Sequence, residues 1–345
     1  MTAAAIPQAP QARWFEARPG GGMACQLCPH HCLVTESRPG KCGVRHASHG
    51  RLALPFYGRI SALAVDPIEK KPLYHFHPGA RILSAGFVGC SFHCRFCQNW
   101  QISQGTEAGT RFMSPADLVA AAQAERSFAI AYTYSEPLVH AEYVLETAAL
   151  ARRAGLRNVL VSNGYVNPGP ADEILALVDA ANIDLKGFDE QFYRAETGGA
   201  LKEVKRFLEQ AAGRIHLEVT TLVIPGMNDD PAQIEGISSF VASLGVDVPL
   251  HLSAYHPDYR YSIPATPPAT IRALAEVARR HVRYVYVGNI GVESCDTACA
   301  QCGAVLVHRA GYRVQVTGLR RAAGADVDRA AVCSSCGAPS PIVVF

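Results

Sequence analysis

Twelve cysteines fall into three close-spaced groups, separated by cysteine-free stretches from Cys42 to Cys90 and from Cys97 to Cys295. A secreted disulfide scaffold spreads its cysteines through the chain. Tight grouping instead indicates metal-binding thiols in a reducing compartment, so a cytoplasmic protein is expected. The middle group is the most demanding. Gly89-Cys90-Ser91-Phe92-His93-Cys94-Arg95-Phe96-Cys97-Gln98-Asn99-Trp100 sets three cysteines at C-x3-C-x2-C spacing. The apolar run Ile82–Val88 before it reads as a short buried strand ending in glycine, so the thiols leave a strand end on a loop. Three thiolates this close suit an iron–sulfur cube. A [4Fe–4S] cube with three protein ligands keeps one iron open for a substrate or cofactor. The competing readings are a zinc knuckle and a disulfide pair.

The chain has 345 residues, 49% of them hydrophobic, enough for one large domain with small appendages. Its formal charge of +2 predicts neither a nucleic-acid nor an anionic-membrane partner. No apolar run reaches membrane-spanning length. The Ala/Pro/Gln-rich start, Met1 to Arg13, lacks a basic n-region and a long apolar stretch. It reads as a frayed tail rather than a signal peptide.

Two further cysteine groups flank the first. Cys25, Cys28, Cys32 and Cys42 follow C-x2-C-x3-C-x9-C, four soft ligands within 18 residues. They predict a closed site for zinc or for a second iron–sulfur centre, with His30 and His31 as substitutes for one thiol and free thiols as the bland alternative. Near the other end, Cys299-x2-Cys302-Gly303 and Cys333-x2-Cys336-Gly337 flank a hairpin pattern, Val305–Val307 and Tyr312–Val316 turning at Ala310-Gly311. Two knuckles on a hairpin make a zinc ribbon, with a rubredoxin-like iron as competitor. Cys295, Cys299 and Cys302 repeat the C-x3-C-x2-C spacing, but Gln301 stands before the last cysteine and the trio follows the last strand. Cys295 is therefore read as a spare thiol.

Between these groups the chain alternates short apolar strands with amphipathic helices. Helices are expected over Pro115–Ala124, Leu138–Ala154, Pro170–Asp179, Leu201–Ala211, Pro231–Leu244 and Pro268–His281. Strands are expected at Phe128–Tyr134, Asn158–Ser162, Asn182–Leu185, within Arg214–Ile224, at Val248–Leu252 and at Tyr284–Val287. Such alternation predicts parallel strands with helical crossovers, closing part of a (β/α) barrel. The domains expected are a Cys-rich knuckle over 1–50, a link over 51–80, the barrel over 81–290 and a zinc-ribbon-like hairpin over 291–345. In this architecture functional groups gather where strands end. Thr133, Tyr134, Ser135 and Glu136 follow one strand; Ser162 and Asn163 another; Asp184 and Lys186 a third. Glu218 and Thr220 lie at the next, and His251 and Ser253 at the one after.

The cluster loop, with Phe96 as the aromatic before its last cysteine, resembles that of the radical SAM enzymes. Cys25–Arg45, Asp66–Gly79, Cys97–Gln104 and the carboxy-terminal tail resemble the AmmeMemoRadiSam branch, which is similar in turn to the activating enzymes of glycyl-radical enzymes. The resemblance implies an α/β fold, a partial (β/α)6-type radical SAM barrel. It implies a [4Fe–4S] cluster on Cys90, Cys94 and Cys97, with S-adenosylmethionine chelating the open iron. Tyr134, Ser135 and Glu136 would receive the methionine amino group. Ser162 and Asn163 would hold its carboxylate or the ribose, and Asp184 and Lys186 would lie on the ribose side. Thr220 would contribute to cofactor binding, Val223-Ile224-Pro225-Gly226 would run past the adenine, and His251 would stand near the nucleoside. A one-electron donor of flavodoxin or ferredoxin type is implied, and a Memo-type protein is an expected partner. The resulting 5′-deoxyadenosyl radical would take hydrogen from a small-molecule or protein substrate that these residues do not identify. The alternatives are a glycyl-radical activase, a Schiff-base lyase built on Lys186, and a non-catalytic zinc-binding scaffold.

Overall fold

Eight strands form one sheet in the computed structural model, which describes residues 9–19, 22–291, 295–322 and 331–344. In chain order they are β1 (Ala62–Pro67), β2 (Arg81–Gly86), β3 (Ala129–Thr133), β4 (Arg157–Ser162), β5 (Ala180–Asp184), β6 (His216–Val223), β7 (Leu250–Ala254) and β8 (Val285–Gly288). Spatial order equals chain order, from β1 at one edge to β8 at the other. Neighbours from β2 to β8 are parallel, and β1 lies antiparallel on β2. An order that never reverses puts right-handed crossovers on one face and curls the sheet, as in a barrel, with both edges left open. The central strands are buried on both sides; every residue of β3 is buried.

Six helices make the crossovers: α1 (Pro115–Ala124), α2 (Ala141–Arg153), α3 (Pro168–Leu175), α4 (Leu201–Ala211), α5 (Pro231–Leu244) and α6 (Pro268–Ala278). Local chemistry starts them. Ser114 caps α1 with a reciprocal Ser114–Asp117 box and Pro115 at its first position. Asp230 caps α5 ahead of Pro231. α4 buries Leu201, Val204, Phe207, Leu208 and Ala211, a single stripe at helical spacing.

The bounds of α1, α4 and α5 fall where the sequence predicts. Others shift for identifiable reasons. The helix expected from Leu138 begins as a 3-10 turn, Pro137–His140, and turns α-helical only at Ala141. The helix expected to reach Asp179 stops at Leu175, and the Asp179 carboxylate accepts the Asn158 N–H at 2.7 Å. The strand expected from Val248 starts at Leu250, because Pro249 has no N–H for the ladder. Residues 62–67, within the segment expected to be a link, are the antiparallel strand β1.

The amino-terminal segment adds three short antiparallel strands, Phe15–Ala17, Met23–Cys25 and Leu33–Val34, and the hairpin His46–Ser48 with Arg51–Ala53. Its Met23, Leu27, Val34 and Leu52 share one buried cluster with Tyr143 and Val144 of α2, so this segment has no separate core. The carboxy-terminal hairpin, Val305–Ala310 with Arg313–Val316, has a small core of its own around Leu306, Val307 and Ile342. Val343 ties it to the sheet, donating to the His75 carbonyl and accepting from His77 N–H. Most of the expected frayed tail, residues 1–8, lies outside the described residues, as do parts of the ribbon, 292–294 and 323–330.

Candidate active site and metal centres

The carboxyl ends of the strands open into a cavity of about 370 Å³. The loop after β2 brings Cys90, Cys94 and Cys97 to its wall, where Glu136, Asp184 and Lys186 join them from the ends of β3 and β5. Phe96, Tyr134, Ser135, Ser162, Asn163 and Thr220 line it too. His251 does not.

The cysteine loop is held from several sides. Phe92 N–H and the Asn163 amide reach Cys90 Sγ at 3.3 and 3.7 Å, and the Ser103 hydroxyl lies 3.1 Å from Cys97 Sγ. His93 N–H donates to the Thr197 carbonyl at 2.8 Å. Phe96 is buried and stacks on Phe192. Burial pushes the Cys94 thiol up to about 12, against the pull of the Lys186 charge, and raises the Cys90 thiol well above its ordinary value. Without a metal these thiols therefore keep their protons. Among the described residues these three sulfurs do not form a set at single-ion ligand spacing. A cube needs that wider separation, since each thiolate goes to a different iron. The Ser135 and Thr220 hydroxyls are buried without a partner among the described residues, so this wall holds polar capacity for a bound group. The donor set and the cavity fit an iron–sulfur cube with a polar cofactor.

Glu136 accepts from Ser162 Oγ at 2.7 Å, Asn163 N at 2.8 Å and Leu138 N at 3.0 Å. It ties the ends of β3 and β4 together and keeps one lone pair for a ligand. Asn163 in turn reaches Ser91 Oγ at 3.0 Å, next to Cys90. Lys186 Nζ lies 2.9 Å from Asp184. Burial alone would lower its pKa, but the Asp184 carboxylate holds it above the usual lysine value. An ammonium so held is a poor nucleophile, which does not favour the Schiff-base reading.

Tyr134 adopts a left-handed backbone, φ 70°, a strained conformation for an aromatic residue. Its hydroxyl bonds Asp66, which also pairs with Lys71 Nζ at 2.8 Å. Although charged residues crowd the segment 66–71, Lys71 is 2% exposed. Lys71 lines the cavity, with its ammonium over the Tyr134 ring. Nothing local to the sequence marks this pair, because the burial comes from β1 packing at the sheet edge.

His251 lines a lobe that adjoins the main cavity and shares Lys71, Tyr134 and Ser253 with it. Its Nε2 lies 2.6 Å from Glu218, a fully buried carboxylate. Glu218 also meets His216 at 3.0 Å and accepts the N–H groups of Tyr74 and His75. A buried charge demands that many donors, so His251 is drawn to it and faces a neighbouring lobe lined by Tyr74 and Asp66.

Cys299, Cys302, Cys333 and Cys336 converge with their sulfurs all within 4.8 Å. Cys299–Cys336 and Cys302–Cys333 are both 3.7 Å apart. Four thiolates around one ion at ~2.3 Å in a tetrahedron stand at about that separation. The four sulfurs are thus placed as a metal ion would need them, on the hairpin where the sequence sets its two knuckles. Cys295 stays outside it, its thiol 3.9 Å from the Val287 carbonyl. Cys25, Cys28, Cys32 and Cys42 are near enough for their charges to repel one another, but they do not stand at single-ion spacing.

Residues 86–234 match the model of the Radical SAM superfamily. The chain is 37% identical over 341 residues to an uncharacterized protein of Methanocaldococcus jannaschii, covering 97% of this chain and 99% of that one. It is 24% identical over 191 residues to the pyruvate formate-lyase 1-activating enzyme of Escherichia coli, covering 52% of this chain and 75% of that enzyme. A radical SAM methyltransferase from Sphaerobacter thermophilus superposes with a TM-score of 0.50 at 17% identity, over 67% of this chain and 71% of that one. The last similarity concerns the fold.

Proposed function

Because this chain belongs to the radical SAM superfamily, we propose that Cys90, Cys94 and Cys97 hold a [4Fe–4S] cube whose open iron takes S-adenosylmethionine in the cavity at the strand ends. The observation that carries the reading is the convergence of three cysteines, wider apart than one ion's ligands, on a cavity shared with Glu136, Asp184 and Lys186. When bound, cluster and cofactor together supply one-electron cleavage of a sulfonium to a 5′-deoxyadenosyl radical that takes hydrogen from a substrate.

The chain's own residues orient and shield. Glu136, already anchored by three donors, offers its remaining lone pair to a cofactor ammonium. Asp184 is the more exposed member of its ion pair, with a carboxylate available to vicinal hydroxyls. Lys186 stays protonated and offsets negative charge beside Cys94. Phe96 and Phe192 stack behind the loop and keep water from its rear. The electron comes from a low-potential carrier of flavodoxin or ferredoxin type.

Anaerobic reconstitution with iron and sulfide, followed by dithionite and S-adenosylmethionine, tests the reading. The wild type should release 5′-deoxyadenosine and Cys94→Ala should not; equal amounts from both would defeat it. The match to an activating enzyme favours a protein substrate as a second reading. An EPR doublet from a glycyl radical in a co-expressed partner would select it.

A further inference from the structure

We propose that Cys25, Cys28, Cys32 and Cys42 hold a second iron–sulfur cluster, ligated on every side by protein, that passes electrons to the site of the first.

Spacing separates this group from the ribbon. The ribbon sulfurs stand as one ion requires, all within 4.8 Å, whereas the amino-terminal four do not, although all four are mutual electrostatic neighbours. They share that wider arrangement with Cys90, Cys94 and Cys97. Thiolates spread over several irons need it, and thiolates around a single zinc do not permit it. The knuckle also carries an N–H···S bond, from Lys41 N to Cys32 Sγ at 3.3 Å. Such bonds tune cluster potentials.

A second observation is independent of the cysteines. Arg45 is 1% exposed, and only its Nη2 is matched, by Glu142 at 2.5 Å. Its Nε and Nη1 are buried without a partner among the described residues. The same guanidinium acts on Cys25 and Cys42. A buried cation with two unused donors beside these thiols points to a missing anion that accepts hydrogen bonds. An iron–sulfur cluster, with net negative charge and exposed sulfides, is such a group.

Position gives the role. Both neighbours of Cys90 in the chain touch this knuckle. A Cβ on Gly89 would lie 2.4 Å from the Cys42 carbonyl, and the Ser91 carbonyl is 2.8 Å from His30 Nε2. His31, Glu36 and Lys41 of the knuckle are exposed, and Lys41 Nζ donates to the Gly198 carbonyl at 3.0 Å. The knuckle thus adjoins the loop of the cube and has solvent-facing residues of its own. With four protein ligands the cluster has no open iron and carries electrons only. A cluster held by these four cysteines would take one electron from the ferredoxin- or flavodoxin-type carrier and would be oxidised again on giving it up to the cube. No bond or proton changes in the transfer.

The relay rests on the function proposed above; the cluster does not. Full-length Cys90→Ala/Cys94→Ala/Cys97→Ala, reconstituted anaerobically, should retain iron and acid-labile sulfide in equal amounts, with a reduced EPR signal indifferent to S-adenosylmethionine. Zinc in place of iron, or no iron, would overturn the assignment. Wild type supplies a check that needs no variant: two reduced-cluster signals, of which S-adenosylmethionine shifts one. A single signal, shifted entirely, overturns the second cluster. Two signals of which neither shifts would sink the catalytic reading and leave this cluster standing. For the relay, Cys28→Ala should keep the shifted signal yet form 5′-deoxyadenosine at least tenfold more slowly with a ferredoxin-type donor; an unchanged rate overturns it.

Discussion

His251 Nε2 lies 2.6 Å from Glu218, and that carboxylate has no solvent exposure. Four donors from three parts of the chain meet on its two oxygens: His251 from β7, His216 from β6, and the Tyr74 and His75 N–H groups from the segment before β2. From here polar contacts run outward. His75 reaches the Tyr286 hydroxyl at 2.6 Å, Tyr286 reaches Thr297 at 2.6 Å, and Arg309 joins Thr297 at 2.7 Å. Glu218 is thus the inner end of a chain that fastens the ribbon to the sheet.

Glu218→Gln should therefore be strongly destabilising despite its near-identical shape. A glutamine oxygen accepts from two donors, while its NH2 group faces two others that lose their partner. At ~1–3 kcal/mol for each buried unmatched donor, the loss is about 3 kcal/mol or more, measured by urea denaturation. The hydrogen bonds from His216 and His251 hold the Glu218 carboxyl well below the ordinary range against its burial. Its stabilisation is present above the unfolded-state pKa near 4.5 and disappears as pH falls. The variant should lack that acid limb.

Glu136 titrates in the opposite sense. Burial lifts its carboxyl to about 7, even though Asn163, Ser162 and Leu138 donate to it. Between its ordinary value of 4.5 and 7 the folded chain holds a proton that the unfolded chain has released. Stability then falls as pH rises through that window, by on the order of 3 kcal/mol in all. Urea titrations of wild type and Glu136→Gln at pH 5 and pH 7.5 should differ, with the variant losing this slope. Parallel slopes would remove the raised pKa.

Much of this was legible in the sequence, and the division is physical. The cysteine loop, the ribbon and the bounds of α4 and α5 depend on short spacings and on an apolar stripe that one stretch of chain displays. The Lys71–Asp66 pair and the Glu218 cluster depend on which distant segments meet. Glu218 read as one more strand-end acid because alternation along β6 does not say how deep a position lies. The burial of Asp66 and Lys71 has no local mark, since it depends on β1 lying antiparallel on β2. Zinc and iron–sulfur stayed undivided at Cys25–Cys42, since spacing along the chain does not give distances between sulfurs.

Gly89→Ala should damage the site before any cysteine is touched. Gly89 has φ +79°, and a Cβ there would meet the backbone carbonyl of Cys42 at 2.4 Å. The left-handed conformation alone costs ~1–2 kcal/mol, and backbone has little room to yield. Gly213→Ala is the control, with φ +73° and nothing within 4 Å of its Cβ. The first variant should lose about 2 kcal/mol or more along with iron retention; the second should lose about 1 kcal/mol and keep its iron.

The ribbon offers a test of metal removal. Cys302 is exposed, so Cys302→Ser changes little packing and mainly weakens the four-sulfur site. We expect that site to hold zinc. Wild type should then carry one zinc per chain that the variant lacks by elemental analysis. The ribbon's own core is small, so its order depends on the ion. Loosening by ~1.4 kcal/mol would raise local opening about tenfold and speed protease cleavage after residue 295 to match. Arg309 donates to the Tyr74 carbonyl at 2.6 Å with its guanidinium over the Tyr74 ring, so the opening should reach the Glu218 cluster. Hydrogen exchange at Tyr74 and His75 reads this directly. Faster exchange there in Cys302→Ser is the expected result; protection equal to wild type would show the ribbon and the sheet to be energetically separate.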